Sequence, residues 1–174
     1  MIEDTKIERC PPLQRLQDEH VSLREAMDRF YELTEDLEYE SNPAAVGRLF
    51  AQLHAQVAAF AKRLAIHSYK EETALFPLMS RRLGPGDRTI ETMEFEHGKA
   101  EQHLRDFMSQ AAHARPALSE ADARSIAVYA VQAHATLTQH FAKEEKMLFP
   151  LAERILLPDD KAALTRQLPA DQRA

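Results

Sequence analysis

The sequence predicts an all-α protein, an antiparallel up-down-up-down four-helix bundle with a short C-terminal helical tail. Apolar residues recur at alternating spacings of three and four along four long segments, which is the period of one helix face. Only 4 of the 174 residues are glycine, and no segment shows the apolar–polar alternation of a half-buried strand. Short breaks rich in proline and glycine separate the four segments, and short connections make consecutive helices antiparallel neighbours.

Two helices are predicted in the first half of the chain. The first begins at Pro12 or Leu13. The second follows the break "SNP", in which Ser41 or Asn42 is a candidate N-cap. The first apolar seam contains Leu13, Leu16, His20, Leu23, Met27, Phe30, Thr34 and Leu37. The second contains Val46, Phe50, Leu53, Val57, Phe60, Leu64, His67, Glu71, Ala74 and Leu78.

Two further helices are predicted in the second half. The third follows "GPGD" at residues 84–87 and ends near "ARPALSEAD" at residues 114–122, where Ser119 begins a cap-like S-E-A-D. The third seam contains Ile90, Met93, His97, Ala100, Leu104, Phe107 and Ala111. The fourth contains Ile126, Ala130, Ala133, Leu137, His140, Glu144, Met147 and Leu151.

The two ends of the chain lie outside these helices. A weak, short helix is predicted after "LLPDD", over about residues 159–167. The chain therefore divides into an N-terminal arm (1–11), a bundle (12–156) and a C-terminal tail (157–174). The single cysteine, Cys10, is expected to be an exposed thiol on a loose arm.

Histidine and glutamate are the conspicuous polar residues of the seams, and each helix contributes one histidine. Thr34 is the other polar residue, and its hydroxyl can bond the preceding turn at little cost. A histidine and a glutamate four residues apart point to the same side of a helix, since about 40° separates them. The polar seam residues are His20, His67, Glu71, His97, His140 and Glu144.

The two halves of the chain resemble each other. "DEHVSLREAMDRF" at residues 18–30 resembles "FEHGKAEQHLRDF" at 95–107, with an offset of 77. "HSYKEETALFPL" at 67–78 and "HFAKEEKMLFPL" at 140–151 agree at 8 of 12 positions. The chain therefore reads as a duplicated helix pair, with one histidine on the first helix and one His-x-x-x-Glu on the second.

Antiparallel packing would bring the six polar seam residues to one end of the core. An ionised carboxylate buried there without a partner costs several kcal/mol, and no lysine or arginine falls in the seams nearby. A cation is the missing partner, and imidazole with carboxylate suits iron, manganese or zinc. Six ligands from four helices indicate two metals, each with two imidazoles, that share two bridging carboxylates and leave room for a solvent-derived bridge.

Other polar residues are given structural or indirect roles. Glu72 and Glu145 lie about 140° from the paired histidines, so each is expected to be solvated or to support a ligand. The remaining histidines are expected to be structural or exposed: His54, His103, His113 and His134.

The order of these residues resembles that of the hemerythrin-like (HHE cation-binding) family, over about residues 13 to 155, and the "EExxLFP" segments strengthen the resemblance. The resemblance implies a bundle holding two non-heme iron ions, with a bridging oxo or hydroxo group. It implies that Glu71 and Glu144 bridge the irons. By the same resemblance, His20 and His67 would bind one iron, and His97 and His140 would bind the other.

One position departs from the oxygen-carrying members of that family. They have a further histidine one turn after the third-helix ligand, where this chain has Glu101. Glu101 lies about 40° from His97 and is either a ligand to the same iron or a rim residue. An anionic ligand would favour ferric iron, which puts simple oxygen carriage in doubt.

Three functions remain open. A binding or sensing protein would take oxygen or nitric oxide in a pocket lined by Leu23, Leu64, Leu104 and Leu137. An enzyme would consume peroxide or nitric oxide and could use Tyr31, Tyr69 or Tyr129. Iron storage or delivery is the third, but a ferritin-type site needs two E-x-x-H motifs, and Gln17 stands where the second would begin.

Composition restricts the partners and the location. The net charge is −6 and no basic run occurs, which argues against nucleic acid and anionic membranes. No apolar stretch approaches the roughly 20 residues that span a bilayer, and the N-terminus lacks the apolar core of a signal peptide. A single cysteine excludes an internal disulfide, so we expect a cytoplasmic protein whose redox partner the sequence does not specify.

Overall fold

The computed structural model describes residues 8–114 and 118–170, and this part of the chain is helical without any strand. The all-α prediction is confirmed. Two π turns interrupt the long helices of the second and fourth predicted segments. The elements are α1 (Pro11–Tyr39), α2 (Pro43–Lys70), the first π turn (Glu71–Leu75), α3 (Phe76–Leu83), α4 (Thr89–Ala114), α5 (Glu120–Lys143), the second π turn (Glu144–Leu148), α6 (Phe149–Ile155) and α7 (Pro158–Gln167).

The predicted breaks and caps agree with the observed helix ends. The side chain of Asn42 accepts hydrogen bonds from the first backbone N–H groups of α2, and Ser119 forms a reciprocal capping box with Asp122 at the start of α5. Gly84 ends α3 with φ 84°, a left-handed conformation that favours glycine. Residues 1–7 of the arm, 115–117 of the third break and 171–174 of the tail lie outside the described residues.

The core of the bundle lies on both sides of a polar layer. One apolar cluster runs along α1, α2, α4 and α5. Its aromatic rings pack against one another; the ring of Phe30, for example, meets that of Phe60 edge to face with 5.2 Å between centroids. A second cluster at the other end joins α1, α3, α4, α6 and α7. His20 lies between Leu16 of the second cluster and Leu23 of the first, so the polar seam residues separate the two apolar regions.

The π turns follow from the two prolines of the "LFP" segments. Pro77 and Pro150 lack an N–H and would clash with the carbonyl four residues earlier in a regular α-helix. Each preceding turn widens instead, and the N–H of Phe76 donates to the carbonyl of Glu71, as that of Phe149 does to Glu144. Each π turn therefore begins at one of the two seam glutamates.

The second π turn overturns one seam prediction. Met147 was expected in the fourth seam, but it is 61% exposed, and Leu148 is buried in its place. A π turn holds about one more residue than an α turn, so the buried face moves along the chain by one position. The 3.6-residue period fails at that point.

Helix α7 and Cys10 cover the end of the bundle that contains the second apolar cluster. Leu164 is fully buried in the second apolar cluster, and Arg82 donates to the carboxylate of Asp160 at 2.6 Å. Cys10 is half-buried against the same cluster, and its backbone N–H donates to Glu153 at 2.8 Å. The prediction of an exposed thiol on a loose arm is therefore wrong. Burial raises the pKa of the Cys10 thiol, which keeps it protonated.

Among the described residues, no helix is both long enough and apolar enough to cross a bilayer.

Candidate metal centre

The six polar seam residues form one buried layer. None of them is more than 4% exposed, although all six side chains are ionisable. They come from α1, α2, α4, α5 and the first residues of the two π turns. Burial of so many ionisable groups requires a strong local partner.

The layer consists of two sets of four residues, and each set offers ligand atoms within 4.8 Å of one another. Glu71 and Glu144 belong to both sets. Two cations that share two carboxylates would use every residue of the layer. The first set adds His20 and His67 to the two glutamates, and the second adds His97 and His140.

The Nε2 atoms of the histidines face the shared carboxylates. His20 Nε2 lies 3.0 Å from Glu144, and His97 Nε2 lies 3.2 Å from Glu71. His140 Nε2 lies 2.8 Å from Glu144. His67 Nε2 is 3.4 Å from Glu71 and 3.1 Å from the Nε2 of His20. All four nitrogens therefore converge on the space between the carboxylates.

The other ring nitrogen of each histidine is held by a carboxylate outside the layer. Nδ1 of His20 lies 2.9 Å from Glu145, and Nδ1 of His97 lies 2.7 Å from Glu72. Each of these glutamates directly follows a seam glutamate in the sequence. With Nδ1–H donating to a carboxylate, the Nε2 of a neutral ring carries a lone pair directed into the layer. The expectation that Glu72 and Glu145 are not in the ligand layer agrees with this arrangement.

The second pair of supporting carboxylates was missed from the sequence. Nδ1 of His67 lies 2.7 Å from Glu19, and Nδ1 of His140 lies 2.8 Å from Glu96. The available signal was the repeated dipeptide Glu-His at residues 19–20 and 96–97, in which each glutamate precedes one seam histidine and supports another. That repeat is visible in the sequence, but the helix that each glutamate faces is not.

Cations stabilise three of the four supporting carboxylates. Lys70 pairs with Glu19 at 2.5 Å, Lys143 pairs with Glu96, and Arg24 pairs with Glu145. Burial opposes ionisation of these three glutamates. The hydrogen bonds from histidine and from lysine or arginine outweigh burial and lower the pKa of each carboxyl. The supporting groups are therefore anions that accept the Nδ1–H proton.

The pKa values show how the layer balances its charge without a metal. Burial opposes protonation of His67, but the charge of Glu71 and the bond to Glu19 outweigh it and raise the pKa of His67 to about 10. Burial likewise opposes protonation of His97, and the adjacent Glu144 and Glu71 raise its pKa to about 11. The pKa of Glu144 is held well below its usual range by the neighbouring imidazoles, against its burial. In the metal-free protein, protons thus occupy the place of a cation.

The carboxylates fit a metal ion better than protons. Both oxygens of Glu71 and of Glu144 are buried and make no hydrogen bond to any described residue, and Nε2 of His140 is also without one. The imidazoles lie close enough for attraction but are not aligned to donate. A group of imidazole nitrogens and carboxylate oxygens that lack donors suits a transition-metal cation.

The family comparison agrees with this geometry. Residues 12–152 match the hemerythrin HHE cation-binding domain. The chain belongs to the hemerythrin HHE family. The resemblance drawn from the seams is thereby confirmed, and this hemerythrin HHE protein is expected to bind metal cations. A comparison with curated protein sequences finds no match.

Glu101 stands apart from both sets of this hemerythrin HHE protein. Its side chain is 35% exposed, and its carboxylate lies 3.4 Å from the guanidinium of Arg105. Neither set includes it. The role of Glu101 as a ligand therefore stays a prediction, and its place in the structure matches the alternative of a rim residue.

The histidines expected to be structural lie outside both sets as well. His134 stacks on Tyr31 with 4.4 Å between ring centroids and lies 2.8 Å from Asp28. His113 is exposed, and its Nδ1 lies 2.7 Å from the carbonyl oxygen of Ser109. Their contacts are those of surface and packing residues.

Proposed function

We propose that this hemerythrin HHE protein holds two non-heme iron ions and binds or senses oxygen or nitric oxide. One iron would be held by His20 and His67, the other by His97 and His140, with Glu71 and Glu144 shared. The observation that carries the proposal is the sharing of two buried, donor-free carboxylates by two sets of ligand atoms. Bound iron would supply redox electrons and open coordination positions for a small ligand.

We infer the antiparallel up-down-up-down topology from contacts between helix ends. His20 near the start of α1 meets His67 near the end of α2. Arg124 near the start of α5 donates to the backbone carbonyl of Leu37 near the end of α1. Contacts of this kind support opposite directions for neighbouring helices and bring the four histidines to one level.

The surroundings of the layer favour a small, uncharged ligand. The four leucines predicted to line a pocket are all buried on one side of the polar layer. Ala100 occupies the position in α4 that corresponds to Leu23 in α1, so the side of the layer near His97 carries a smaller side chain. Apolar walls disfavour charged substrates, since such substrates would lose their hydration there. The four leucines are Leu23, Leu64, Leu104 and Leu137.

Binding or sensing is supported over enzymatic turnover by the places of the tyrosines. Tyr69 is exposed, Tyr31 stacks on His134, and Tyr129 packs on the apolar core. These contacts do not supply the layer with a proton or radical donor among the described residues. Glu94, the start of the single E-x-x-H motif, is exposed, which supports a site unlike that of ferritins.

Negative charge around the layer supports sensing rather than repeated oxygen carriage. Two shared and four supporting carboxylates surround the proposed irons. Anions stabilise the more highly charged ferric ion, which releases oxygen poorly. We also propose a cytoplasmic location, in line with the single cysteine.

Anaerobic purification followed by metal analysis tests the proposal. About two irons per chain are expected, together with a new visible absorption band when oxygen or nitric oxide is added. Protein that binds no iron would overturn the proposal. Rapid turnover of peroxide, without a stable change of spectrum on adding oxygen, would favour the enzyme instead.

A further inference from the structure

The duplication is broken at one place among the groups that support the histidines. Glu145 and Glu72 are equivalent in the two copies, and each lies on the Nδ1 of a histidine. Arg24 reaches Glu145 with both terminal nitrogens, at 2.5 and 3.1 Å. The position equivalent to Arg24 in the second copy is Glu101, which cannot pair with a carboxylate.

The two supporting glutamates consequently differ in how firmly they are held. The side chain of Glu145 is 23% exposed and its carboxylate pairs with Arg24. The backbone carbonyl of Glu145 also accepts from Arg9 at 3.1 Å. The side chain of Glu72 is 39% exposed, and no lysine or arginine in the described part of the chain pairs with its carboxylate. A bidentate arginine–carboxylate pair has a defined geometry. Glu72 is held only by its 2.7 Å contact with Nδ1 of His97, and exposed side chains change rotamer in picoseconds to nanoseconds when such a contact breaks.

We propose that metal enters and leaves the layer beside the Glu72–His97 pair, while the ion pair with Arg24 keeps Glu145 and His20 in place. The inference rests on the proposed two-metal site. Departure of a metal needs a ligand to turn away, and a ring turns more readily when the carboxylate on its far nitrogen is free to move. His97 is slightly exposed whereas His20 is not, so solvent also reaches the Glu72–His97 pair more readily.

The rate at which Fe²⁺ is released to a chelator compares the two sides of the layer, one beside Glu72 and His97 and the other beside Glu145 and His20. Protein loaded anaerobically with two Fe²⁺ is mixed with excess ferrous chelator, and the absorbance of the chelate is followed. Two phases of equal amplitude are expected, with the fast phase from the His97 side. Arg24→Gln should speed the slow phase by about tenfold, and Glu101→Arg should slow the fast phase by about tenfold, since loss of an outer partner typically changes metal affinity by 10–100-fold.

Matched variants control for charge and folding. Arg63→Gln removes an exposed arginine on the neighbouring helix, and Glu94→Arg makes the same charge change elsewhere on α4. Neither should change the two rates. The melting temperature of each metal-free variant identifies any that fails to fold, and Glu101→Arg alone still decides the inference if Arg24→Gln is lost.

Four outcomes would overturn the inference while leaving a metal-binding protein. They are a single phase in the natural protein, unchanged rates in both variants, phases that merge at high salt and so report long-range charge, and loss of one iron from Glu101→Arg. The last would make Glu101 a ligand. Natural protein that takes up no Fe²⁺ would instead reject the proposed function itself.

Discussion

Nδ1 of His140 lies 2.8 Å from the carboxylate of Glu96, which belongs to another helix. The same carboxylate is paired with Lys143. The direction in which His140 presents Nε2 to the polar layer is therefore set from across a helix interface. The same relationship recurs at the other three seam histidines. Metal affinity should depend on residues that do not touch the metal.

Replacing Glu96 by glutamine should weaken metal binding without abolishing it. The amide oxygen still accepts from Nδ1–H but carries no charge, so the imidazole becomes a weaker ligand. We expect about 10–100-fold lower Fe²⁺ affinity in competition with a chelator, and two metals per chain at saturation. Glu94→Gln, on the exposed side of the same helix, is the control. Equal affinities for the two variants would contradict the supporting role of Glu96.

Removal of a seam ligand should lower the metal content. His67→Ala and Glu144→Ala each take away a group that lies within one of the two sets, and Glu144 belongs to both. Metal analysis should give fewer than two ions per chain for either variant. His113→Ala, an exposed histidine at the end of α4, should keep the natural content. Unchanged metal in both seam variants would reject the ligand assignment.

Stability of the metal-free protein should fall as the pH rises from 7 to 10. The pKa of His67 is raised to about 10 and that of His97 to about 11, above the ordinary 6.5 of an unfolded chain. Protonation therefore stabilises the fold fully below pH 6.5, and that contribution is lost as the pH rises through the folded values. Each ring contributes at most about 1.4 kcal/mol per pH unit in this window.

Urea unfolding at pH 7 and pH 9.5, with a chelator present, measures this change. Metal-loaded protein is the control, because a metal on Nε2 keeps the imidazoles neutral, so they release no proton between pH 7 and pH 9.5. Its free energy of unfolding should vary less over the same range. A metal-free protein that becomes more stable toward pH 9.5 would show that the carboxylates are not balanced by imidazolium.

Helix α7 should contribute to the stability of the whole bundle. Leu164 is fully buried among residues of α1, α3, α4 and α6, and truncation of a buried leucine costs about 2–5 kcal/mol. Leu164→Ala should therefore lower the free energy of unfolding in urea by that amount. Arg166→Ala, at an exposed position two residues further along α7, should change it by less than about 0.5 kcal/mol. Equal effects would indicate that α7 packs only loosely.

Several features of the fold followed from the sequence because they depend on local rules. Thr34 donates to the carbonyl of Tyr31, as expected for a buried threonine in a helix. The caps at Asn42 and Ser119 depend on side chains within three residues of the helix start. Met147 departed from its predicted seam since a proline three residues later widens the turn, and a fixed helical period does not contain that effect.

By itself the sequence determined the helix content, the four seams apart from Met147, and the six residues that converge in them, because periodic burial and internal duplication are both properties of residue order. Tertiary structure alone decided which carboxylate supports which histidine, that Glu101 lies beside Arg105 outside both sets, and that Cys10 is half-buried. The physical reason is common to these cases. A half-exposed glutamate at a helix flank looks the same in sequence whether it faces water, a metal or a neighbouring imidazole, and only the packing of the adjacent helix distinguishes them.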